Sequence, residues 1–326
     1  WKIIFNESYI DAKGIAFRNT TLIYLGIFAA LVLFMGLMIF LLTRGKKNVY
    51  HFLSILTCLK IAAWASFTPA IIGLAEVEND SIMERWTKRT PLARWNYRYI
   101  ITHSNDVRGI NVAMMYQPDD FRLIDSESVR IDLPKGMRST RDILHVWGRV
   151  INSDTLDVIV VHLPSRYEGL LNEIFTRVKE HPEQMSKMHE LMDSVCKTRS
   201  NPHLLVMGDF NELPTTKMLI NEFADYINLM QPLQRNLEKG VLKFGSHKYQ
   251  GEWGFLDQFL VNREMADSLS RVSTSDAWSF SLPFMMTTDV GRLGERPMRS
   301  RYGYKYEGGY SDHLPICVDV FINELE

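Results

Sequence analysis

Five apolar segments of the chain are each followed, interrupted or preceded by a carboxylate or a histidine. An ordinary buried strand avoids such residues, because an ionised side chain is costly to bury unless it is paired or binds a cation. We therefore interpret these ionisable residues as converging on one pocket. The segments and their residues are Ile71–Leu74 with Glu76, Leu156–Val161 with His162, Leu204–Met207 with Asp209, Phe255–Val261 with Asp257, and Leu314–Val320 with Asp312 and His313.

Carboxylates that share a pocket repel one another, and four of these residues are carboxylates: Glu76, Asp209, Asp257 and Asp312. A divalent cation would offset the repulsion, and an oxygen-rich set of ligands favours Mg²⁺ over zinc. The sequence has no HExxH motif, CxxC pair, P-loop or GxSxG motif, which leaves zinc-motif and serine hydrolases without support. Taken singly, a strand-end Asp is more often a turn residue and a lone His a structural one. The ordered set favours a site.

Composition limits the class of protein. The chain has 326 residues, of which 46% are apolar, enough for a large core and too many for a disordered chain. Its formal net charge of −1 argues against a strongly basic, non-specific nucleic-acid binder. Three widely spaced cysteines form neither a disulfide framework nor a zinc signature.

The pattern of apolar residues predicts many short strands and fewer helices, an arrangement typical of stacked sheets covered by helices. A methionine-rich helix face from Met185 to Val195 is interpreted as core rather than as a binding surface. We predict strands over Ala70–Val77, Ile110–Tyr116, Ile143–Val150, Leu156–His162, His203–Met207, Phe255–Val261 and Pro315–Phe321. We predict helices over Asn48–Ala65, Ser81–Arg89 and Thr216–Tyr226, and a stretch broken at Pro182 over Leu170–Thr198.

The N-terminal region contains 21 consecutive uncharged residues, Leu22–Leu42, a length that matches the hydrocarbon core of a bilayer. We predict a transmembrane helix there; a buried helix of the soluble domain is the alternative. The basic cluster from Arg44 to Lys47 favours a cytoplasmic location for the C-terminal domain. The predicted organisation is a short segment 1–21, the membrane helix 22–42 and one domain over 48–326.

Seven sequence phrases together resemble the endonuclease/exonuclease/phosphatase superfamily, whose fold is that of pancreatic deoxyribonuclease. They are GLAEVEN (73–79), RGINVAMMY (108–116), TRDIL (140–144), VVHLPSR (160–166), MGDFNELPT (207–215), GEWGFLDQFLV (251–261) and GGYSDHLPI (308–316). The looser pattern is similar to bacterial members, often from Bacteroidetes. The resemblance implies an α/β four-layer sandwich of two packed mixed β-sheets flanked by helices. It also implies hydrolysis of phosphate esters with Mg²⁺ or Mn²⁺.

The resemblance further implies a role for each matching residue. Glu76 resembles the metal ligand, and His313 resembles the general base, oriented by Asp257. Asp209 and Asn211 resemble the pair around the reacting phosphate, and His162 resembles a second catalytic histidine. Asp312 resembles a second metal-site or water-positioning carboxylate. Arg141 resembles an arginine that contacts substrate phosphate, and Tyr116 is a weaker candidate for the same contact. Arg166, four residues after His162, is a further candidate for phosphate.

The N-terminus departs from this pattern. Family members begin with a strand that ends in a catalytic Asn, for which Asn6 is the candidate at the metal site. A bilayer-spanning Leu22–Leu42 would place Asn6 and Asp209 on opposite sides of the membrane. Either the apolar helix does not span, or the first strand is missing and the site is incomplete, or the N-terminal sequence is mis-assembled. We favour a real membrane segment and a questionable Asn6.

A loop between Pro283 and Tyr310 interleaves five basic residues with tyrosines, a composition that suits phosphates and stacked bases, although a solvated charged loop is equally compatible. The leading hypothesis is a metal-dependent nuclease with water activated by His313 and Asp257, and nucleic acid as its substrate. The alternatives are a lipid or inositol-phosphate phosphohydrolase at the membrane and a catalytically impaired binding module. The five basic residues of the loop between Pro283 and Tyr310 are Arg292, Arg296, Arg299, Arg301 and Lys305.

Overall fold

The computed structural model of the chain describes residues 68–131, 139–165 and 171–323, with side chains from 182 onward in the last range. Four predicted features lie outside these residues: Asn6, the segment Leu22–Leu42, the helix Asn48–Ala65, and Arg166. None of the described helices combines the length and the apolar character needed to cross a membrane. The membrane helix and the domain boundaries stay predictions.

The larger sheet contains six of the described strands, in the spatial order β4, β5, β6, β7, β11, β8 when strands are numbered along the chain. The strands that flank the centre, β6 and β7, run parallel, and every other neighbouring pair is antiparallel, so this sheet is mixed. Their bounds are β4 Arg122–Val129, β5 Ile143–Arg149, β6 Thr155–His162, β7 Leu204–Asp209, β8 Ile227–Asn228 and β11 Asp257–Val261.

The smaller sheet contains three described strands and is antiparallel, with β3 (Asn111–Tyr116) between β1 (Ile71–Val77) and β2 (Arg98–Ile101). The other described strands form two-stranded ladders. These pair β9 (His247–Tyr249) with β10 (Glu252–Gly254), β12 (Val272–Thr274) with β19 (Val320–Ile322), β13 (Trp278–Ser279) with β18 (Ile316–Cys317), β14 (Met286–Thr288) with β15 (Glu295–Pro297), and β16 (Arg301–Tyr302) with β17 (Lys305–Tyr306).

Helices cover the outer faces of the two sheets. The first begins where the side chain of Asn79 accepts a hydrogen bond from the backbone N–H of Ile82, a typical N-cap. The described helices are α1 Asp80–Arg89, α2 Leu171–Thr198, α3 Lys217–Glu222, α4 Gln231–Glu238 and α5 Arg263–Ala266, with short 3₁₀ turns at Pro91–Trp95 and Pro283–Met285.

Three apolar cores separate four layers in the described part of the chain. Between the sheets, Met114 of β3 shares a core with Val160 of β6. On the far face of the larger sheet, Ile159 shares a second core with Met188 of α2. Beneath α1, Met83 shares the third core with residues of β1 and β3. The predicted four-layer α/β sandwich is therefore confirmed.

Several predicted elements differ from the observed ones. The stretch around Pro182 is one continuous helix of 28 residues. The proline removes only one backbone hydrogen bond, and the buried face that includes Met185 and Met192 packs the second half of the helix against the sheet. The predicted strand Pro315–Phe321 is two short strands, since β18 and β19 pair with different partners. The strand β4 was not predicted, because most of its residues are exposed or polar.

Candidate active site

The register of the larger sheet brings three ionisable residues to one edge. Parallel pairing of β6 with β7 sets His162 beside Asp209. Antiparallel pairing of β7 with β11 sets Asp257 on the other side of Asp209. His313 joins them through a backbone bridge to His247 of β9. Strand ends that the sequence separates by about fifty residues thus meet at one place.

A hydrogen-bonded pair of His313 and Asp257 forms the centre of the site. The ring nitrogen Nδ1 of His313 donates to Oδ2 of Asp257 over 2.7 Å, and Asp257 is fully buried. Because a carboxylate only accepts hydrogen bonds, Nδ1 carries a proton, and in the neutral form of the ring Nε2 then presents a lone pair. That Nε2 lies 3.8 Å from Oδ2 of Asp209. The arrangement can accept a proton from a water molecule held near Asp209.

The carboxylate of Asp209 lies between the two histidines. Its Oδ2 is 3.6 Å from Nε2 of His162, and its Oδ1 accepts the backbone N–H of Asn211 over 2.9 Å. The side-chain amide of Asn211 donates to the carbonyl of Leu163 over 2.7 Å. Backbone and side-chain hydrogen bonds therefore fix Asp209, Asn211 and the segment after His162 relative to one another.

A glycine allows β7 to approach β6 at this point. Gly208 has a φ of 148°, and a Cβ atom there would lie 1.9 Å from the carbonyl oxygen of Val161. No other residue type avoids that collision without moving a strand. The glycine of the MGDFN phrase thus sets the position of Asp209.

Arg141 has protein partners for three of its guanidinium nitrogens. Nε donates to the carbonyl of His162 over 3.1 Å, Nη2 donates to the carbonyl of Leu163 over 2.9 Å, and Nη1 lies 3.3 Å from Oδ2 of Asp106. Burial lowers the pKa of Arg141, and Asp106 opposes that effect. In the structure Arg141 holds the segment after His162, and its contact with substrate phosphate stays a prediction.

Glu76 lies at a bulge near the end of β1, where the pairing with β3 shifts register. Its φ of 59° turns the chain out of the regular strand, as bulges beside active sites do. The half-exposed carboxylate accepts a hydrogen bond from Arg108 over 2.7 Å. Ala75 and Gly208 line one gap between the sheets, so the ends of β1 and β7 that carry Glu76 and Asp209 lie at the same edge.

His247 belongs to the site although the sequence analysis did not identify it. Its ring packs on that of His313, with centroids 4.5 Å apart. Burial, with the neighbouring His313, lowers the pKa of His247 to about 4. It lies in a short polar hairpin rather than in an apolar run, and the sequence signal used to find the other residues is absent there.

Asp312 lies on the same side as His247. Burial acts to raise the pKa of Asp312, but His313, His247 and Arg299 outweigh it and lower the pKa. Ligand atoms of His247, Asp312 and His313 lie within 4.8 Å of one another, as do those of Asp209, Asp257 and His313. The predicted site residues from β6, β7 and β11 and the segment at Asp312 are thus brought together.

Tyr116 is separated from this group. It pairs with Ile71 at the start of β1, whereas the site lies at the other end, where Val77 pairs with Asn111. Five residues of strand span about 17 Å. The tyrosine is buried in the core between the sheets, edge-on to Phe121, so the structure does not place it in the pocket.

The donor set fits a hard divalent cation. Carboxylates from β1, β7 and the segment before His313 lie at one edge of the sandwich, and oxygen ligands of this kind suit Mg²⁺ or Mn²⁺. Among the described residues, Glu76 at its bulge and Asp312 have partly exposed carboxylates that could contribute oxygen ligands.

A four-layer α/β sandwich with a histidine–carboxylate pair and further carboxylates at one sheet edge defines a class of phosphoester hydrolases. The chain belongs to the Endonuclease/Exonuclease/phosphatase family, whose sequence profile matches residues 53–322. No curated protein matches the chain in sequence.

Solved structures similar to this chain are distant in sequence. The human Nocturnin catalytic domain with bound sulfate anion is 15% identical, covers 69% of this chain and 79% of its own, and has a TM-score of 0.47. D. rerio TDP2 complexed with single strand DNA product is 15% identical over 81% of this chain and 89% of its own, with a TM-score of 0.49. A Bacteroides thetaiotaomicron mannosyl-6-phosphatase is 14% identical over 80% and 88%, with a TM-score of 0.48.

Proposed function

We propose that the chain is a divalent-metal-dependent phosphodiesterase that hydrolyses phosphodiester bonds of nucleic acids. The observation that carries this proposal is the pair formed by His313 and buried Asp257, with Nε2 of His313 directed towards Asp209. Family membership supports phosphoester hydrolysis in general. The proposal of a nucleic-acid substrate is based on the basic and aromatic residues of the hairpin formed by β16 and β17.

In the proposed reaction, Nε2 of His313 takes a proton from the attacking water. Asp257 keeps the proton of Nδ1 in place and stabilises the imidazolium that forms. Asp209, held by the N–H of Asn211, orients the water. His162, on the other side of Asp209, donates a hydrogen bond to the phosphate oxygens.

Glu76 and Asp312 are the proposed ligands of Mg²⁺ or Mn²⁺. A bound divalent ion would stabilise negative charge on the phosphate and on the leaving oxygen. Asn211 adds an amide near the same oxygens. Asn6, which lies outside the described residues, is the remaining proposed member of the metal site.

A basic and aromatic hairpin beside the site supports a polynucleotide substrate. The ladder of β16 and β17 carries Tyr302 and Tyr306, and Tyr304 at its turn is fully exposed. The guanidinium of Arg301 lies 5.8 Å from the ring centroid of Tyr306. Cations interleaved with accessible aromatic rings bind phosphates and stacked bases.

The test is cleavage of plasmid DNA and of a single-stranded oligonucleotide by the full chain with Mg²⁺, with EDTA, and after Mg²⁺ is restored. We expect EDTA to abolish cleavage and His313→Ala to lower the rate by at least about 10²-fold, because it removes the general base. His189→Ala, a partly exposed histidine of α2, is the matched control and should keep full activity.

An unchanged rate in the His313→Ala variant would refute the proposed mechanism. Release of phosphate or headgroup from phospholipid vesicles, without action on DNA or RNA, would replace the proposed substrate by a lipid. Binding of nucleic acid without turnover at any metal concentration would indicate a binding module.

A further inference from the structure

Arg299 lies beside the catalytic segment because a hairpin brings it there. The backbone N–H of Gly309 donates to the carbonyl of Arg299 over 3.2 Å. A Cβ atom at Gly309 would lie 2.1 Å from the carbonyl oxygen of Met298, so only glycine permits this close approach. Three residues after Gly309 the chain reaches Asp312, and His313 is the next residue. The GGYSDH phrase thus places Arg299 next to the proposed base.

The guanidinium of Arg299 is near the site but is not fully used by the protein. Its Nη1 lies 3.9 Å from Oδ2 of Asp312, which is longer than a hydrogen bond. Its Nε is buried and has no hydrogen-bond partner among the residues that the structure describes. A buried donor without an acceptor is costly and is rare in native structures, which indicates that a ligand supplies the acceptor.

Tyr302 supports this guanidinium from one side. The ring centroid of Tyr302 is 5.3 Å from Arg299 and 4.6 Å from Arg296. Arg296 already has a carboxylate partner, because its Nη2 donates to both carboxylate oxygens of Glu307, over 2.8 and 2.9 Å. The ring of Tyr302 remains about half exposed. A guanidinium with one unsatisfied donor and a half-exposed tyrosine ring therefore lie together next to Asp312.

We propose that Arg299 binds a second phosphate group of the substrate, next to the phosphate that is hydrolysed, and that Tyr302 stacks on the adjoining base. This inference rests on the proposed function. A guanidinium forms two parallel hydrogen bonds to a phosphate, and tyrosine stacks on bases with little sequence preference. Arg141 differs from Arg299, because the carbonyls of His162 and Leu163 and the carboxylate of Asp106 already accept three of its five N–H groups.

The test compares two substrates of the full chain with Mg²⁺. Bis(p-nitrophenyl) phosphate has one phosphate, and an oligothymidylate of about twelve nucleotides has many. We expect Arg299→Ala to reduce kcat/KM at least about tenfold more for the oligonucleotide than for the small diester, mainly through KM, because two charge-assisted hydrogen bonds are lost. Arg299→Lys should recover only part of the loss, since the ammonium lacks the fork.

Two further variants separate stacking and charge. Tyr302→Ala should weaken the oligonucleotide selectively, whereas Tyr302→Phe keeps the ring and should behave like the unmodified chain. Arg263→Ala, an exposed arginine at the start of α5 and beyond the end of β11 that lies away from Asp257, is the control for the loss of one positive charge and should leave both substrates within about twofold. Thermal unfolding of each variant checks that the hairpin change has not altered the fold.

Equal losses for Arg299→Ala on both substrates would overturn the inference, because they would place the guanidinium on the reacting phosphate or in a structural role. No loss on either substrate would also overturn it. Failure of the unmodified chain to cleave the oligonucleotide would instead overturn the proposed function, and this inference with it. If the unmodified chain cleaves both substrates and Arg299→Ala changes neither rate, the inference is refuted and the proposed function stands.

Discussion

Replacing Asp257 with asparagine tests the hydrogen bond on which the proposed mechanism depends. The two side chains have the same shape, but the amide has no negative charge to stabilise the imidazolium of His313. If the amide nitrogen faces Nδ1, the ring proton must also move to Nε2, where it blocks acceptance of a proton from water. Asp257 is fully buried, and its Oδ2 is 2.7 Å from Nδ1, so water has no space to substitute for the lost interaction.

The expected effect on catalysis can be worked out from that geometry. A hydrogen bond to a charged group contributes about 1.5–3 kcal/mol, and each 1.4 kcal/mol of barrier is about tenfold in rate. Loss of the charge alone therefore lowers kcat by about 10- to 150-fold, and the wrong tautomer lowers it further, towards the ~10⁴-fold seen for the corresponding change in serine proteases. We expect a fall in kcat of at least about 10²-fold and little change in KM, because Asp257 lies behind His313.

The assay is hydrolysis of bis(p-nitrophenyl) phosphate at saturating Mg²⁺, with Asp157→Asn as the matched control. Asp157 is also fully buried and also bound to a histidine, with Oδ1 2.9 Å from Nε2 of His145. It lies five residues before His162 on the same strand, about 17 Å from the site. We expect its folded fraction to retain full activity. Either result would refute the reasoning: an Asp257→Asn chain with native thermal stability and kcat within threefold of the unmodified chain, or an equal loss of kcat in Asp157→Asn.

Two further predictions concern stability. Gly208→Ala should lower the free energy of unfolding by at least about 3 kcal/mol in urea denaturation, because the added Cβ would collide with the backbone of Val161. The control is Gly240→Ala, which has open space around the added Cβ and should lower the free energy of unfolding by only about 1 kcal/mol. Equal losses of stability in the two variants would contradict the role assigned to Gly208. Burial acts to raise the pKa of Asp157, but His145 and Arg199 outweigh it and lower the pKa below the ordinary value of 3.8. The stabilisation is therefore present above about pH 3.8 and is lost as the pH falls through the lowered pKa, so the unfolding free energy of Asp157→Asn should depend less on pH below about 4; an unchanged acid dependence would show that other groups dominate.

The buried strands were predictable because a short run of apolar residues is stable only where both faces of the strand are covered. Most residues of the runs Leu156–Val161 and Leu204–Met207 are apolar on both faces of the strand, and the structure buries one face between the two sheets and the other beneath a helix. Edge strands gave a weaker signal. The strand β4 reads RLIDSESV and is stabilised by its pairing with β5, a tertiary contact that local propensity does not contain.

The site was predictable where an ionisable residue interrupted an apolar run. That criterion selected Asp209 and Asp257, which the register of the larger sheet sets side by side, and His313, which forms a hydrogen bond with Asp257. It missed His247 and did not separate Arg299 from the other cations of its loop. Both lie in short polar hairpins, whose positions depend on close glycine contacts and on ladders of two or three residues.

The two arginines show why residue type alone does not determine a role in binding. Arg141 precedes β5 and matches a family phrase, and each of its three guanidinium nitrogens donates one hydrogen bond to the protein, two of them to backbone carbonyls. Arg299 lies in a polar loop, yet one of its donors is buried without an acceptor among the described residues, and its positive charge lies beside Asp312. Since a buried donor without an acceptor is rare in native structures, the unpartnered Nε of Arg299, which only the structure shows, is the observation that led us to propose the binding role for Arg299.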